Sequence, residues 1–210
     1  MSIAQNPLTG AMKKSMANFT MYTLNGRNII RSKAFMPRVP NSPKQLIQQA
    51  RMSGISEMYR IFSSIIALGF PEREIFQYPQ NMFVAANINT AFVMEGSDPV
   101  ISYPLMLLSK GSLKPVTITE VAVDAGGITL SYNARALTPD LNADDEIIAC
   151  ALLESGVLLK TRQFIGYKPI GTIHLNYMDM QVAELICCYV FVRSADGEKA
   201  SDSVWVEVKG

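Results

Sequence analysis

From residue 116 onward the chain repeats one pattern, a strand-length apolar run followed by a turn. The runs are VTITEVAV (116–123), GITLSYN (127–133), EIIACALL (146–153), VLLKTRQFI (157–165), TIHLNYM (172–178), ELICCYVFV (184–192) and SVWVEV (203–208). β-Branched and aromatic residues fill them, and clusters of Gly, Asp, Asn and Ser separate them. Seven runs at this spacing predict a sandwich of the immunoglobulin or fibronectin type III kind over residues 114–210. Ala195-Asp196-Gly197 suits the hairpin before the last strand of such a domain, and the absence of a Cys…Trp…Cys pattern excludes an antibody-type domain.

Ahead of the strands the sequence writes one long helix, from Ser42 to about Leu68. Ser42 and Gln45 form an S-x-x-Q capping box, and Pro43 suits the first helical position. At the far end Gly69 is expected in the left-handed conformation, and Pro71 forbids continuation. Leu46, Ile47, Ala50, Ile55, Met58, Tyr59, Phe62, Ile65 and Ile66 recur at helical spacing, and Met52, Ile61 and Leu68 widen the stripe. A helix apolar on so wide an arc needs cover on more than one face, expected from an N-terminal hairpin or another subunit. Gly54 costs about 1 kcal/mol relative to Ala in a helix interior, which points to a kink or a close crossing.

The hairpin is predicted over 17–24 and 27–35, because Asn25-Gly26 suits a two-residue turn with positive φ. Residues 1–16 read as an arm, and MPRVPNSP (36–43) as an extended connector. After the long helix, 79–93 reads as a second helix capped by Asn81. GSDP (96–99) reads as a turn, and 100–113 as a strand interrupted by Pro104. The domain reading is therefore 1–40 basic arm and hairpin, 41–113 helical segment with a connecting strand, and 114–210 sandwich. The fold class is α+β, mostly β.

Composition matters most through charge. Residues 1–56 carry eight basic residues and no acid, whereas 57–210 carry 11 basic and 18 acidic residues. Such a split predicts that the basic part meets something negative. The candidate interface residues are Lys13, Lys14, Arg27, Arg31, Lys33 and Arg38, expected to meet protein carboxylates, with phosphate as the alternative. No apolar run reaches the ~18–20 residues a membrane helix needs, and no secretory signal is expected.

Chemistry-bearing patterns are sparse. His174, the single histidine, lies inside a strand pattern without a G-x-S-x-G elbow, and reads as a structural or surface residue. Cys150, Cys187 and Cys188 lack zinc-ligand spacing and read as small buried apolar residues, with Cys187 and Cys188 on opposite strand faces. Asp144, Asp145 and Glu146 read as a solvated turn rather than a calcium loop, and Glu72 and Glu74 as exposed charge. No nucleotide-binding motif is present, so no cofactor, metal or catalytic residue is expected and the chain is read as a non-enzyme.

Several short motifs occur in a familiar order: Asn25-Gly26-Arg27 through Arg31-Ser32-Lys33, then PNSPKQLIQQA, Gly69-Phe70, AANINTAF, Leu108-Ser109-Lys110-Gly111-Ser112-Leu113, and Asp196-Gly197-Glu198-Lys199-Ala200-Ser201. In this the chain resembles an uncharacterised family of roughly 200-residue proteins of Bacteroidota and their phages. Leu24 stands where that family tends to carry Trp. The resemblance implies a phage-linked structural role and offers no catalytic residues. The functional expectation is a non-enzymatic virion component, a tail or portal-region ring element or auxiliary capsid protein, folded in the host cytoplasm. Its partners would be further copies of itself and other virion proteins, with no membrane. The alternatives are a nucleic-acid-binding module that contacts DNA through the basic arm, and a cell-surface adhesin.

Overall fold

The structure, a computed structural model, describes residues 2–4, 14–16, 18–24, 27–33, 42–74, 77–124, 126–134, 144–166, 170–177 and 185–207. It is mostly β, with two α-helices and several antiparallel sheets. The chain divides into two compact units, Met1–Gln45 and Leu46–Gly210.

The first unit is one antiparallel sheet. Its strands are β1 (Ser2–Ala4), β2 (Lys14–Met16), β3 (Phe19–Leu24) and β4 (Arg27–Ser32), in the order β1-β4-β3-β2. The expected hairpin is β3–β4, with Leu24 paired to Arg27 across Asn25-Gly26, which lies outside the described residues. Residues 1–16, read as an arm, supply a strand to each side of the hairpin. Those strands satisfy edge N–H and C=O groups that a lone hairpin leaves open. Of the connector expected at 36–43, residues 36–41 lie outside the described residues.

The long helix, α1, runs Pro43–Gly69, and the boundary between units falls in its first turn. Its capping box is formed: the Ser42 N–H donates to Gln45 Oε1 (3.2 Å), and the Gln45 N–H donates to Ser42 Oγ (3.3 Å). The second helix, α2, is Pro79–Asn87, shorter than the expected 79–93. Tyr78, not Asn81, occupies the N-cap position, and Pro79 opens the first turn. Asn87 is the last residue of the helix, and its buried amide is fully used: Nδ2 donates to Phe83 O (2.9 Å) and Leu107 O (2.8 Å), while Oδ1 accepts from Leu107 N–H (2.7 Å). A short hairpin follows, β5 (Phe92–Glu95) and β6 (Asp98–Ile101). The strand expected over 100–113 stops at Ile101. Pro104 sits in a 3-10 turn at Tyr103–Leu105, and the stretch beyond it forms only a bridge, Leu113 to Ser201.

Seven strands then appear within two residues of their expected bounds: β7 (Thr117–Asp124), β8 (Gly127–Asn133), β9 (Glu146–Leu153), β10 (Leu158–Phe164), β11 (Ile170–Asn176), β12 (Leu185–Arg193) and β13 (Val204–Val206). They form two antiparallel sheets, β11-β8-β7 and β10-β9-β12-β13. Ile128, Leu130, Tyr132, Ile173 and Leu175 of the first pack on Ala149, Ala151, Cys188, Val190 and Val192 of the second.

The opposite face of the four-stranded sheet is also covered. Ile148, Cys150, Leu152, Cys187, Tyr189 and Phe191 pack against Ile55, Met58, Phe62, Ile65 and Ile66 of α1 and Phe83 of α2. The body is therefore three layers deep, with the four-stranded sheet in the middle. A strand buried on both faces reads as an unbroken apolar run, which is how EIIACALL and ICCYVFV are written. The outer strand β11 alternates instead, with Ile173 and Leu175 buried between exposed neighbours.

This arrangement also shows what the main apolar face of α1 meets. Its apolar face is covered by the chain's own sheet, while Met52 and Leu46 are exposed and Ile61 and Leu68 are partly buried at the margin. Gly54 marks a close crossing. A Cβ there would lie 3.3 Å from Ile101 Cδ1 and 3.4 Å from the Phe92 ring. Gly69 is not left-handed. A Cβ there would run into the Leu108 carbonyl oxygen and stand 2.8 Å from Ser109 Cβ, so glycine is required by close backbone approach.

Candidate functional site

Of the six candidate interface residues, Lys13 and Arg38 lie outside the described residues. Lys14 belongs to β2, an edge strand of the first sheet. Arg27, Arg31 and Lys33 come together. Successive side chains of a strand alternate between faces, so these three share one face of β4 with Ile29, spaced about 7 Å per two residues. Lys33 keeps this register beyond the strand end, its N–H donating to Asn18 O (2.7 Å). All three are exposed. Across the sheet Tyr22 pairs with Ile29 and Thr20 with Arg31, and the Arg31 guanidinium carbon lies 5.8 Å from the Tyr22 ring centroid. Such contacts hold a guanidinium plane in place while its N–H fork stays available to a carboxylate or phosphate.

The charge split follows the structural one. Unit Met1–Gln45 carries seven basic residues and no acid, whereas Leu46–Gly210 carries 12 basic and 18 acidic residues. Among the described side chains of the first unit only Asn28 and Ile29 are buried, and Phe19 is 50% exposed.

The other residues singled out in the sequence lie in the second unit. His174 is exposed on β11, its Nδ1 2.9 Å from Thr129 Oγ1 on the neighbouring strand. Asp144, Asp145 and Glu146 do not converge. Asp145 is buried rather than solvated, its carboxylate accepting the Ala195 N–H (2.9 Å), and Glu146 lies 3.9 Å from Arg162. Among the described residues no group of three His, Cys, Asp or Glu side chains can hold a metal ion. The three cysteines are free and buried, with Cys187 facing the helices and Cys188 the other sheet. Burial pushes the Cys187 and Cys188 thiols up to about 12 and Cys150 well above its ordinary value. Among the described residues no helix is long and apolar enough to cross a membrane.

Sequence reasoning missed one cluster, which brings three of the short motifs together. Glu72 is exposed, as expected, yet it also ties three segments together. Its Oε1 accepts the Ser112 N–H (2.8 Å), the Ser112 hydroxyl (2.9 Å) and the Ala200 N–H (3.3 Å). Desolvation raises its pKa, but these hydrogen bonds and Lys199 outweigh that and leave it below the ordinary 4.5. Gly111 packs on the Ala200 carbonyl oxygen, where a Cβ would not fit. The Ser109 hydroxyl donates to Ser201 O, the Ser203 N–H to Ser109 O (3.1 Å), and the Lys110 N–H to Gly69 O (3.1 Å). Gly69-Phe70, Leu108–Leu113 and Asp196–Ser201 thus meet at one corner as a backbone clasp, a task for small residues and hydroxyls.

No family model matches the chain, and no curated protein or solved structure matches it.

Proposed function

We propose that this chain is a non-enzymatic assembly subunit whose basic N-terminal sheet meets the acidic body of a neighbouring copy. The observation that carries the reading is that the first compact unit holds seven basic residues and no acid, whereas all 18 acidic residues lie in the second. A unit of about 45 residues is marginal alone and gains stability from a partner surface. Opposite charges on different patches make the contact heterologous, and heterologous contacts close into rings when the rotation permits. The setting inferred from the family resemblance is a phage particle, with the protein in a tail or portal-region ring or as an auxiliary capsid protein.

The body is read as fibronectin type III-like. Counting from β7, the first, second and fifth strands share one sheet, and the fourth, third, sixth and seventh share the other. That order supports the reading, with the helical layer as an addition to it.

Reversing charge in the full-length chain tests the proposal. Arg27→Glu, Arg31→Glu and Lys33→Glu together should shift sedimentation to a smaller species while the circular dichroism spectrum is unchanged. An unchanged assembly would refute it. The Arg31–Tyr22 pair favours a second reading, in which the same face binds nucleic-acid phosphates. That reading requires affinity for DNA that falls steeply with salt.

A further inference from the structure

The two sheets of the body meet differently along their two sides. On one side β10 lies against β11. On the other, β7 and β13 face each other across an open groove of about 710 Å³, lined by residues 115–121 and 204–207. β7 pairs only with β8, and β13 only with β12, so among the described residues each presents an edge with no strand beside it. Core-directed side chains are correspondingly under-covered. Ile118, Val121 and Val123 of β7 pack against the sandwich core yet remain partly exposed, whereas Leu130 and Ile173 deeper in the same sheet are fully buried. The groove is the open side of the sandwich, between two unpaired strand edges.

Its chemistry is one-sided. Glu120 and Glu207 line it, and among the described residues no lining side chain is basic. The β7 ladder is also bulged between Ile118 and Glu120. A bulge and an edge carboxylate both discourage indiscriminate strand pairing, and the carboxylate discourages it least for a strand that brings a cation.

We infer that this groove receives a strand from a second copy of the chain, the edge strand β2 (Lys14–Met16) of that copy's basic sheet. β2 pairs only with β3, so its other edge has no strand beside it among the described residues. It carries Lys14 and follows Lys13, within a unit that has no acid. The other edge strand of that sheet, Ser2–Ala4, carries no charge and lacks this complementarity. Strand addition supplies affinity through main-chain hydrogen bonds and selectivity through alternate side chains and edge charge. The inference rests on the assembly reading and names its contact surfaces.

Cysteine cross-linking between full-length copies tests it. One preparation carries Thr119→Cys and the other Ser15→Cys, and a third with Thr117→Cys repeats the test at a nearby β7 position. The native thiols are buried with raised pKa, so they stay silent under mild oxidation. The expected result is a covalent dimer that forms at least tenfold faster in a mixture containing Ser15→Cys and a β7 cysteine than in any preparation alone. Adding Glu120→Lys should abolish that advantage. Self-cross-linking of the β7 variants alone would overturn the inference in favour of edge-to-edge β7 pairing. No cross-link at either position, with assembly intact by light scattering, would overturn the groove contact and leave the assembly reading standing. A monomer at every concentration would overturn both.

Discussion

Phe62 offers the sharpest test of the three-layer body. It lies on α1, is fully buried, and meets Tyr189 of β12 edge-on, with ring centroids 6.2 Å apart at 86°. Phe62→Ala deletes a buried ring between helix and sheet, which costs about 3–5 kcal/mol. In a unit of this size each kcal/mol moves Tm by roughly 2–4 °C, so the midpoint should fall by about 6–20 °C. Thermal unfolding followed by strand circular dichroism measures the loss where it matters, in the sheet rather than the helix. A double-mutant cycle with Tyr189→Leu should show a coupling of about 0.5–1.5 kcal/mol for the edge-on pair. Tyr189→Phe separates the ring from the hydroxyl, which donates to Tyr103 O at 2.7 Å. The half-exposed Phe19→Ala serves as a control expected within about 0.5 kcal/mol. A loss below about 1 kcal/mol at Phe62, with no coupling to Tyr189, would mean that the helix does not form the third layer.

Three further outcomes follow from local geometry. Gly69→Ala should destabilise by about 1–3 kcal/mol in urea unfolding despite alanine's better helix propensity, because the added methyl meets the Leu108–Ser109 backbone; a stabilised variant would contradict the close approach. Glu72→Gln should cost about 1 kcal/mol at neutral pH. Because the folded-state pKa of Glu72 is lowered, its contribution is present above about 4.5 and lost as pH falls through the lower folded value, so the gap to wild type should close in acid; a gap constant down to pH 2 would refute that origin. Ser42→Ala removes one arm of the capping box and should cost about 1 kcal/mol of helix stability, read as faster amide exchange in the first turn of α1.

The strands were legible because their runs are short, β-branched and punctuated, a local signal that tertiary packing did not override. The third layer was written just as plainly, in the refusal of EIIACALL and ICCYVFV to alternate, but a two-sheet sandwich was the simpler expectation. Other features were not local at all. Glu72 finds Ala200 across 128 positions and Asn87 finds Leu107 across 20, so nothing beside either residue announces its role. Gly69 was read as a helix terminator from its neighbours, whereas its reason is the backbone of Leu108 and Ser109. For the basic residues, sequence gave the charge, and strand register gave the shared face of Arg27, Arg31 and Lys33.

The central claim is that opposite charges on the two units drive copies of the chain together. Light scattering of the full-length protein at low and high salt tests it most directly. The account predicts a defined oligomer at low salt that dissociates as salt rises, since contacts between exposed charges are screened over about 10 Å at 0.1 M. A monomer at both salts, or an oligomer indifferent to salt, would contradict it.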